Sequence, residues 1–297
     1  MRRRLIRLVM SVAAAAPAFG GPINLASAGS FALLGRTITE TGGANIGGNV
    51  GATTTITVND PWTVSGTVYP AGNATAVAAY NDFVNAFNTG MGLASTQQCA
   101  GGNQLTANCT FTGNNVYTFT NPNITTTTGI NLTFDANNDA NEYFIIRIAQ
   151  ALTVNGVMTF TLQNQARADH IFWIVGTDAT ISVGSSPAIN FDGNILAGSS
   201  FTMSAQSGGS GVLAGSINGC VFAETANTLA GQTNVDGCAN YNTLFGPSGS
   251  PVPEPGSSGL VSLGCLLGVL AWRKSRVSLL TRLSAGTREE QHSKLLS

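Results

Sequence analysis

Charge is what this chain lacks most. Only 9% of its 297 residues are Asp, Glu, Lys or Arg, where an ordinary soluble domain carries about 25%. Both lysines, Lys274 and Lys294, lie near the carboxyl end, so residues 24–255 contain none and no lysine-dependent active site can form there. That stretch keeps three basic residues, Arg36, Arg147 and Arg167, against 12 acidic ones, a formal charge of −9. Phosphate backbones are gathered by basic clusters that release counterions, so a segment this negative excludes nucleic acid as a partner. Histidine is nearly as rare, with His170 the only one before His292. A polysaccharide-processing β-helix enzyme needs clustered acids with Lys, Arg or His, and a zinc site needs closely spaced Cys or His. The segment supplies neither, and no catalytic residue, metal or cofactor is expected.

Something other than charge must keep the surface wet. Residues 24–255 hold 32 threonines and 27 asparagines, and the whole chain has 36 glycines. This is the composition of a turn-rich β protein whose exposed faces are hydroxyls and amides. Apolar residues make up 43% of the chain and recur in short patterned runs, which excludes disorder.

Both ends read as addressing. Arg2 to Arg7 form a basic start, Leu8 to Phe19 a short apolar stretch, and Ala16-Pro17-Ala18 or Ala18-Phe19-Gly20 a cleavage site, so residues 1–23 are expected to be a secretory signal peptide. The domain proper then spans 24–245, followed by a Gly/Pro/Ser linker at 246–252. Pro253-Glu254-Pro255, an apolar run to Trp272, and Arg273, Lys274 and Arg276 follow in that order. The segment 253–276 resembles the PEP-CTERM sorting signal, which implies export, residence in the inner membrane through 257–272, and processing by an exosortase that releases the protein to the surface or extracellular matrix. One departure is that 21 residues, 277–297, continue beyond the basic cluster as a tail. A membrane anchor with a cytoplasmic tail is the other outcome, its orientation set by those basic residues.

Export agrees with cysteine usage. Cys99, Cys109, Cys220 and Cys238 lie in the exported region and allow three pairings; the local pairs Cys99–Cys109 and Cys220–Cys238 each close a Gly/Asn-rich loop and are the expected disulfides.

Within the domain, residues 74–89 follow Asn73 as an N-cap and place Val77, Tyr80, Val84, Phe87 and Met91 at helical spacing. The rest reads as strand. Tyr143 to Ile148 and His170 to Val175 are apolar on nearly every residue, so both faces are buried, and the helix is the only available cover. Each is followed after a corner by an alternating strand, 152–155 and 180–183, and 201–204 and 228–231 repeat the pattern. Taking Val154, Val183, Met203 and Leu229 as equivalent gives steps of 29, 20 and 26 residues. Irregular repeats of this length predict a mainly β fold, a parallel β-solenoid with one long helix alongside.

These segments resemble the bacterial and fungal ice-binding proteins, which are built as a discontinuous right-handed β-solenoid with a flanking helix. The likeness rests on residues 25–35, 46–51, the helix near Ala74, 116–119, 170–175 and 191–197, in family order. It implies a cap at about 93–115 over the end of the solenoid, and activity on an exposed β-face whose partner is the ice crystal surface. Alternation then selects the outward residues. Thr153, Ser182, Thr202 and Thr228 form the expected column, with Thr180 beside it and Asn131, Thr133, Asn155 and Ser204 as flanks. Thr53–Thr55 with Thr57, and Thr125–Thr128, are expected to extend it. Asp135 to Glu142 begins like a calcium loop but lacks the glycine and the final glutamate, so it reads as a strand corner, and His170 reads as structural. The competing function is that of a surface adhesin or a module binding matrix polysaccharide.

Overall fold

The computed structural model describes residues 22–98, 105, 109–126, 129–183, 189–205 and 215–238. Residues 1–21 of the expected leader 1–23, Cys99, the linker, the Pro253-Glu254-Pro255 segment and the tail lie outside them, whereas Ile23 is described and is buried against the helix. The expected β-solenoid forms: every strand pairing is parallel, and the coils enclose a core between three walls. The first wall contains Gln97–Gln98, Asn115–Thr118, Phe144–Ile148, Ile171–Val175 and Asn194–Ala197. The second contains Ile124–Thr126, Leu152–Asn155, Ala179–Val183 and Ser200–Ala205. The third is divided. A three-stranded sheet holds Cys109–Thr112, Ile130–Asp135 and Met158–Gln163; a five-stranded one holds Ile189–Asp192, Gly215–Asn218, Thr233–Val235, Asn45–Ile46 and Thr63–Val64.

Three long strands, Phe31–Thr41, Asn49–Val58 and Val221–Ala230, run through the first wall and on into the second. Their corner is a bulge. Gly35 faces Ala52 and Ala223, but Thr37 faces Thr55 and Ala226, so Arg36 opposes two residues on each side. Glycine is required at the bend, because a Cβ on Gly35 would sit 2.4 Å from the Asn227 amide nitrogen. That buried amide donates to the Leu34 carbonyl at 2.9 Å.

Stacking order departs from chain order. Phe31–Thr41 pairs with Asn49–Val58 on one side and with Val221–Ala230, from the far end of the domain, on the other. The chain lays down two coils, sends a helix along the first wall, and builds the remaining coils back until the last meets the first.

The helix spans Ala74–Gly92, three residues longer than expected, and Asn73 caps it by accepting from the Thr75 amide at 2.9 Å. Its buried stripe is Ala76, Ala79, Phe83, Ala86, Phe87 and Gly90, which corrects the expected one: Val77, Tyr80, Val84 and Met91 are only half-buried. Size is the reason. Small residues let the helix lie close to the wall, where Gly51 would bring a Cβ within 2.9 Å of Ala76, and the larger side chains close the flanks. Phe83 is the central knob, 5.6 Å from the Phe222 ring. Together with Phe31, Leu34, Ile145, Phe172, Ile174 and Leu196 it forms a second core outside the solenoid. The first wall is therefore buried on both faces, as its unbroken apolar strands require.

Inside, the register differs by two residues from the expected one. Val154, Ile181, Met203 and Leu229 are partners, at steps of 27, 22 and 26. Ile181 and Val183 fit the alternation equally well, and corner hydrogen bonds decide between them. Gly176 donates to Ile148, Thr177 to Gln150, Gly198 to Val175 and Ser199 to Thr177. Cys220 and Cys238 are disulfide-bonded, closing the last coil. Cys109 is disulfide-bonded as well. Among the described residues no helix is long and apolar enough to cross a membrane.

Candidate functional site

The helix leaves the second and third walls with an outer face open to solvent; the pattern of the second follows from the strand period of two. Leu152, Ala179, Phe201 and Leu229 point inward and are buried. Between them an outward file runs Thr125, Thr153, Thr180, Thr202, Thr228, Thr39 and Thr57, each paired with the next in register. Seven rows at the usual strand spacing of about 4.8 Å extend the file over roughly 29 Å. A second file lies two residues further along: Asn155, Ser182, Ser204, Ala230 and Thr41. A third, two residues earlier, holds Ser200, Ala226, Thr37 and Thr55. Neighbouring files are about 6.8 Å apart, twice the strand rise.

No protein group among the described residues hydrogen-bonds a hydroxyl of the central file, whereas Ser204 donates to Ser182 at 3.4 Å in the next one. Those seven hydroxyls are available to solvent. Their β-branch restricts χ1, so the file is stiff as well as regular. Charge stays at the margins. Asp178 precedes the wall strand Ala179–Val183 and accepts from the Ser200 amide at 3.1 Å. Glu40 points inward, fully buried, and accepts from the Gly43 amide. Arg36 and Glu224 sit at the bulge, where burial pushes the Glu224 carboxyl upward and Arg36 opposes that shift. Tyr80 donates to the Glu224 carbonyl at 2.7 Å, tying the helix to the same corner.

The structure rearranges the residues selected by alternation. Thr153, Thr180, Thr202 and Thr228 share the central file, so Ser182 is the partner of Asn155 and Ser204, not of Thr153. Asn131 and Thr133 are not on this wall at all. They belong to the three-stranded sheet, paired with Thr159 and Thr161, and Thr161 donates to the Asn131 side chain at 3.1 Å. Alternation distinguishes inside from outside but does not say which wall a strand occupies, and Ile130–Asp135 follows the open-wall strand Ile124–Thr126 within the same coil. Thr55, Thr57 and Thr125 join the wall, Thr126 turns inward and is buried, and Thr127 and Thr128 lie outside the described residues. Sequence reasoning missed Thr37, Thr39 and Thr41. Their alternation with Ile38 and Glu40 was visible, but nothing local linked them to residues 226–230.

The other singled-out groups are structural. Asp135 accepts from the Asn137 amide and the Asn164 side chain, and these bonds hold its carboxyl below the usual range. Asn137 and Asn138 adopt positive φ, which makes this a corner. His170 is buried, with Nδ1 3.0 Å from the Glu142 carbonyl. Among the described residues no three His, Cys, Asp or Glu side chains converge to hold a metal.

A solenoid with an uncharged, threonine-ruled wall is suited to binding a surface, because it presents a regular array of side chains. The chain belongs to the ice-binding-like family, whose model matches residues 33–235. Its structure is similar to that of an ice-binding protein from the Antarctic ascomycete Antarctomyces psychrotrophicus, with 29% identity, TM-score 0.60, and coverage of 73% of this chain and 98% of that one. An ice-binding protein from an Antarctic biological consortium is similar at 25% identity and TM-score 0.59, covering 75% and 95%. The glycosylated ice-binding protein of an Arctic yeast shares the fold at 21% identity and TM-score 0.54, over 78% and 97%. These relatives are ice-binding proteins. No curated protein matches the chain in sequence. Residues 251–276 match the PEP-CTERM protein-sorting motif, a signal of export to the cell surface or beyond.

Proposed function

We propose that this protein adsorbs to ice through the second wall and so halts crystal growth and recrystallisation. The observation that carries the reading is the file of seven paired threonines. Each threonine offers a methyl group, which discourages disordered hydration, and a hydroxyl, which anchors one water. Repeated at about 4.8 Å by 6.8 Å, the anchored waters form a grid roughly commensurate with oxygen positions in ice. A long charged side chain would hold a mobile hydration shell instead, and the central file has none. No bond is made or broken. Growth stops because ice must bulge between adsorbed molecules. The test is crystal shaping with the full chain: faceted crystals and a gap between freezing and melting are expected, and round crystals with no gap would overturn the reading.

Export supplies the setting. We infer that the leader is removed as a signal peptide after Ala18 or Gly20, which leaves the buried Ile23 in place, that the following residues to 245 form the ice-binding domain, and that 246–252 connect it to the sorting segment 253–276. In this reading the run 257–272 holds the protein in the inner membrane until an exosortase-type enzyme acts near Pro253-Glu254-Pro255. Oxidation of Cys220 and Cys238 supports passage through an oxidising compartment.

A further inference from the structure

The third wall contains a feature the ice reading does not use. Its two sheets are not hydrogen-bonded to each other: Met158–Gln163 and Ile189–Asp192 run side by side as the edges of separate sheets. Between them the wall opens into a cleft of about 620 Å³ lined by Phe160, Asn190, Asp192, Ser216, Asn218 and Asp236, among others. That volume lies within the range of small-ligand sites, about 300–1,000 Å³. A second hollow of about 420 Å³ shares Asn218 and continues past Arg167 and Asp169.

The lining has a definite chemistry. Phe160 is half-buried and lines the cleft; its ring stacks on Phe134 at 6.3 Å and meets Phe191 at 5.1 Å and Trp173 at 6.3 Å edge to face, so the edge of a rigid aromatic cluster reaches the cleft. Around it the polar groups are pre-positioned by one another. Ser216 donates to the Asn190 side-chain oxygen Oδ1 at 2.6 Å, and Asn218 donates to Asp192 Oδ1 at 3.1 Å. The Asn190 amide nitrogen and Asp192 Oδ2 keep their remaining capacity, one donating and one accepting. Asp192 is partly withdrawn from water, which pushes its carboxyl upward. Among the described residues, the cation of the adjoining hollow is neutralised: the Arg167 guanidinium grips Asp169 with two bonds, of 3.0 and 2.7 Å. Anionic ligands therefore meet Asp192 and Asp236 with no free counter-charge.

An aromatic ring beside a row of amide, hydroxyl and carboxylate groups, with no free cation to draw anions, suits a sugar ring, which has one apolar face and a rim of hydroxyls. We propose that the cleft of the third wall binds a neutral hexose-based glycan, packed against Phe160 and hydrogen-bonded to Asn190, Asp192 and Asn218. The protein would then engage ice with one wall and a glycan with another.

Titration calorimetry of the full chain tests this with gluco-, manno- and galacto-configured neutral hexasaccharides and a polyuronate hexamer. Saturable binding of at least one neutral sugar is expected, weakened at least tenfold by the double substitution Asn218→Ala, Asp236→Ala. Thr159→Trp, which fills the cleft from its exposed rim, should weaken it similarly without touching that network. Both variants should keep the wild-type freezing–melting gap, which shows them folded and separates this test from that of the ice wall. Absence of heat with all three neutral sugars, undiminished affinity in the variants, or tighter binding of the polyuronate would overturn the proposal.

Discussion

Thr202 stands at the middle of the central file, between Thr180 and Thr228, and points outward from a wall strand. Replacing it with tyrosine puts a rigid ring, wider and taller than the side chain it replaces, above a plateau otherwise one threonine high. Ice cannot follow the step, so at least the three central rows lose contact. If each anchored water contributes the usual net value of about 0.5–1.5 kcal/mol, three rows amount to about 1.5–4.5 kcal/mol. That is tenfold to a thousandfold in adsorption strength. Folding should hardly change, because the side chain is outward-facing and tyrosine suits a strand; an outward surface substitution moves stability by about ±0.5 kcal/mol. The assay is the freezing–melting gap at equal concentration, with thermal unfolding measured on the same sample. Thr161→Tyr on the third wall and Thr89→Tyr on the exposed side of the helix are matched controls. The gap should collapse in Thr202→Tyr and persist in both controls. An unchanged gap in Thr202→Tyr, or an equal loss in Thr161→Tyr, would refute the assignment of the wall.

Three further outcomes are expected. Phe83→Ala removes a fully buried ring that joins the helix to Phe222 of the first wall, and should cost about 3–5 kcal/mol in urea unfolding; a loss below about 1 kcal/mol would mean that the helix is not held by this knob. The raised Asp192 carboxyl makes the folded state bind its proton more tightly than the unfolded chain does, so its contribution is present below the ordinary aspartate pKa of about 3.9 and lost as pH rises through the raised value. Asp192→Asn should therefore be more stable than wild type at neutral pH, with the advantage vanishing in acid; an advantage independent of pH would contradict the burial effect. In an exporting host with an exosortase, Pro253→Ala with Glu254→Ala should leave full-length protein in the membrane fraction, while wild type appears outside in shortened form; identical fates would remove the sorting reading.

Much of the architecture was legible because burial leaves a local trace. Strands apolar on every residue, such as Ile171–Val175, announced a wall covered twice, and the strictly alternating Leu152–Asn155 announced a wall covered once. What stayed hidden was non-local. Thr39 becomes part of the site only by pairing with Thr228, and no pattern within residues 31–41 specifies a partner so distant in the chain. Asn131 and Thr133 were placed on the wrong wall because an outward polar residue looks the same on any of the three. The two-residue slip at Ser182 has a similar origin: side-chain period defines a register only modulo two, and backbone bonds at the corners resolve it. The helix stripe was misjudged because hydrophobicity favours large residues, whereas close packing on the wall selected Ala76 and Ala79.

Adsorption itself can be seen directly. A single ice hemisphere grown slowly from a solution of the full chain carrying a fluorescent tag should take up label on defined crystal faces, and the Thr202→Tyr chain should be left behind in the liquid. Exclusion of the wild-type chain from the growing ice, or equal uptake of the two, would contradict recognition of frozen water by the threonine wall.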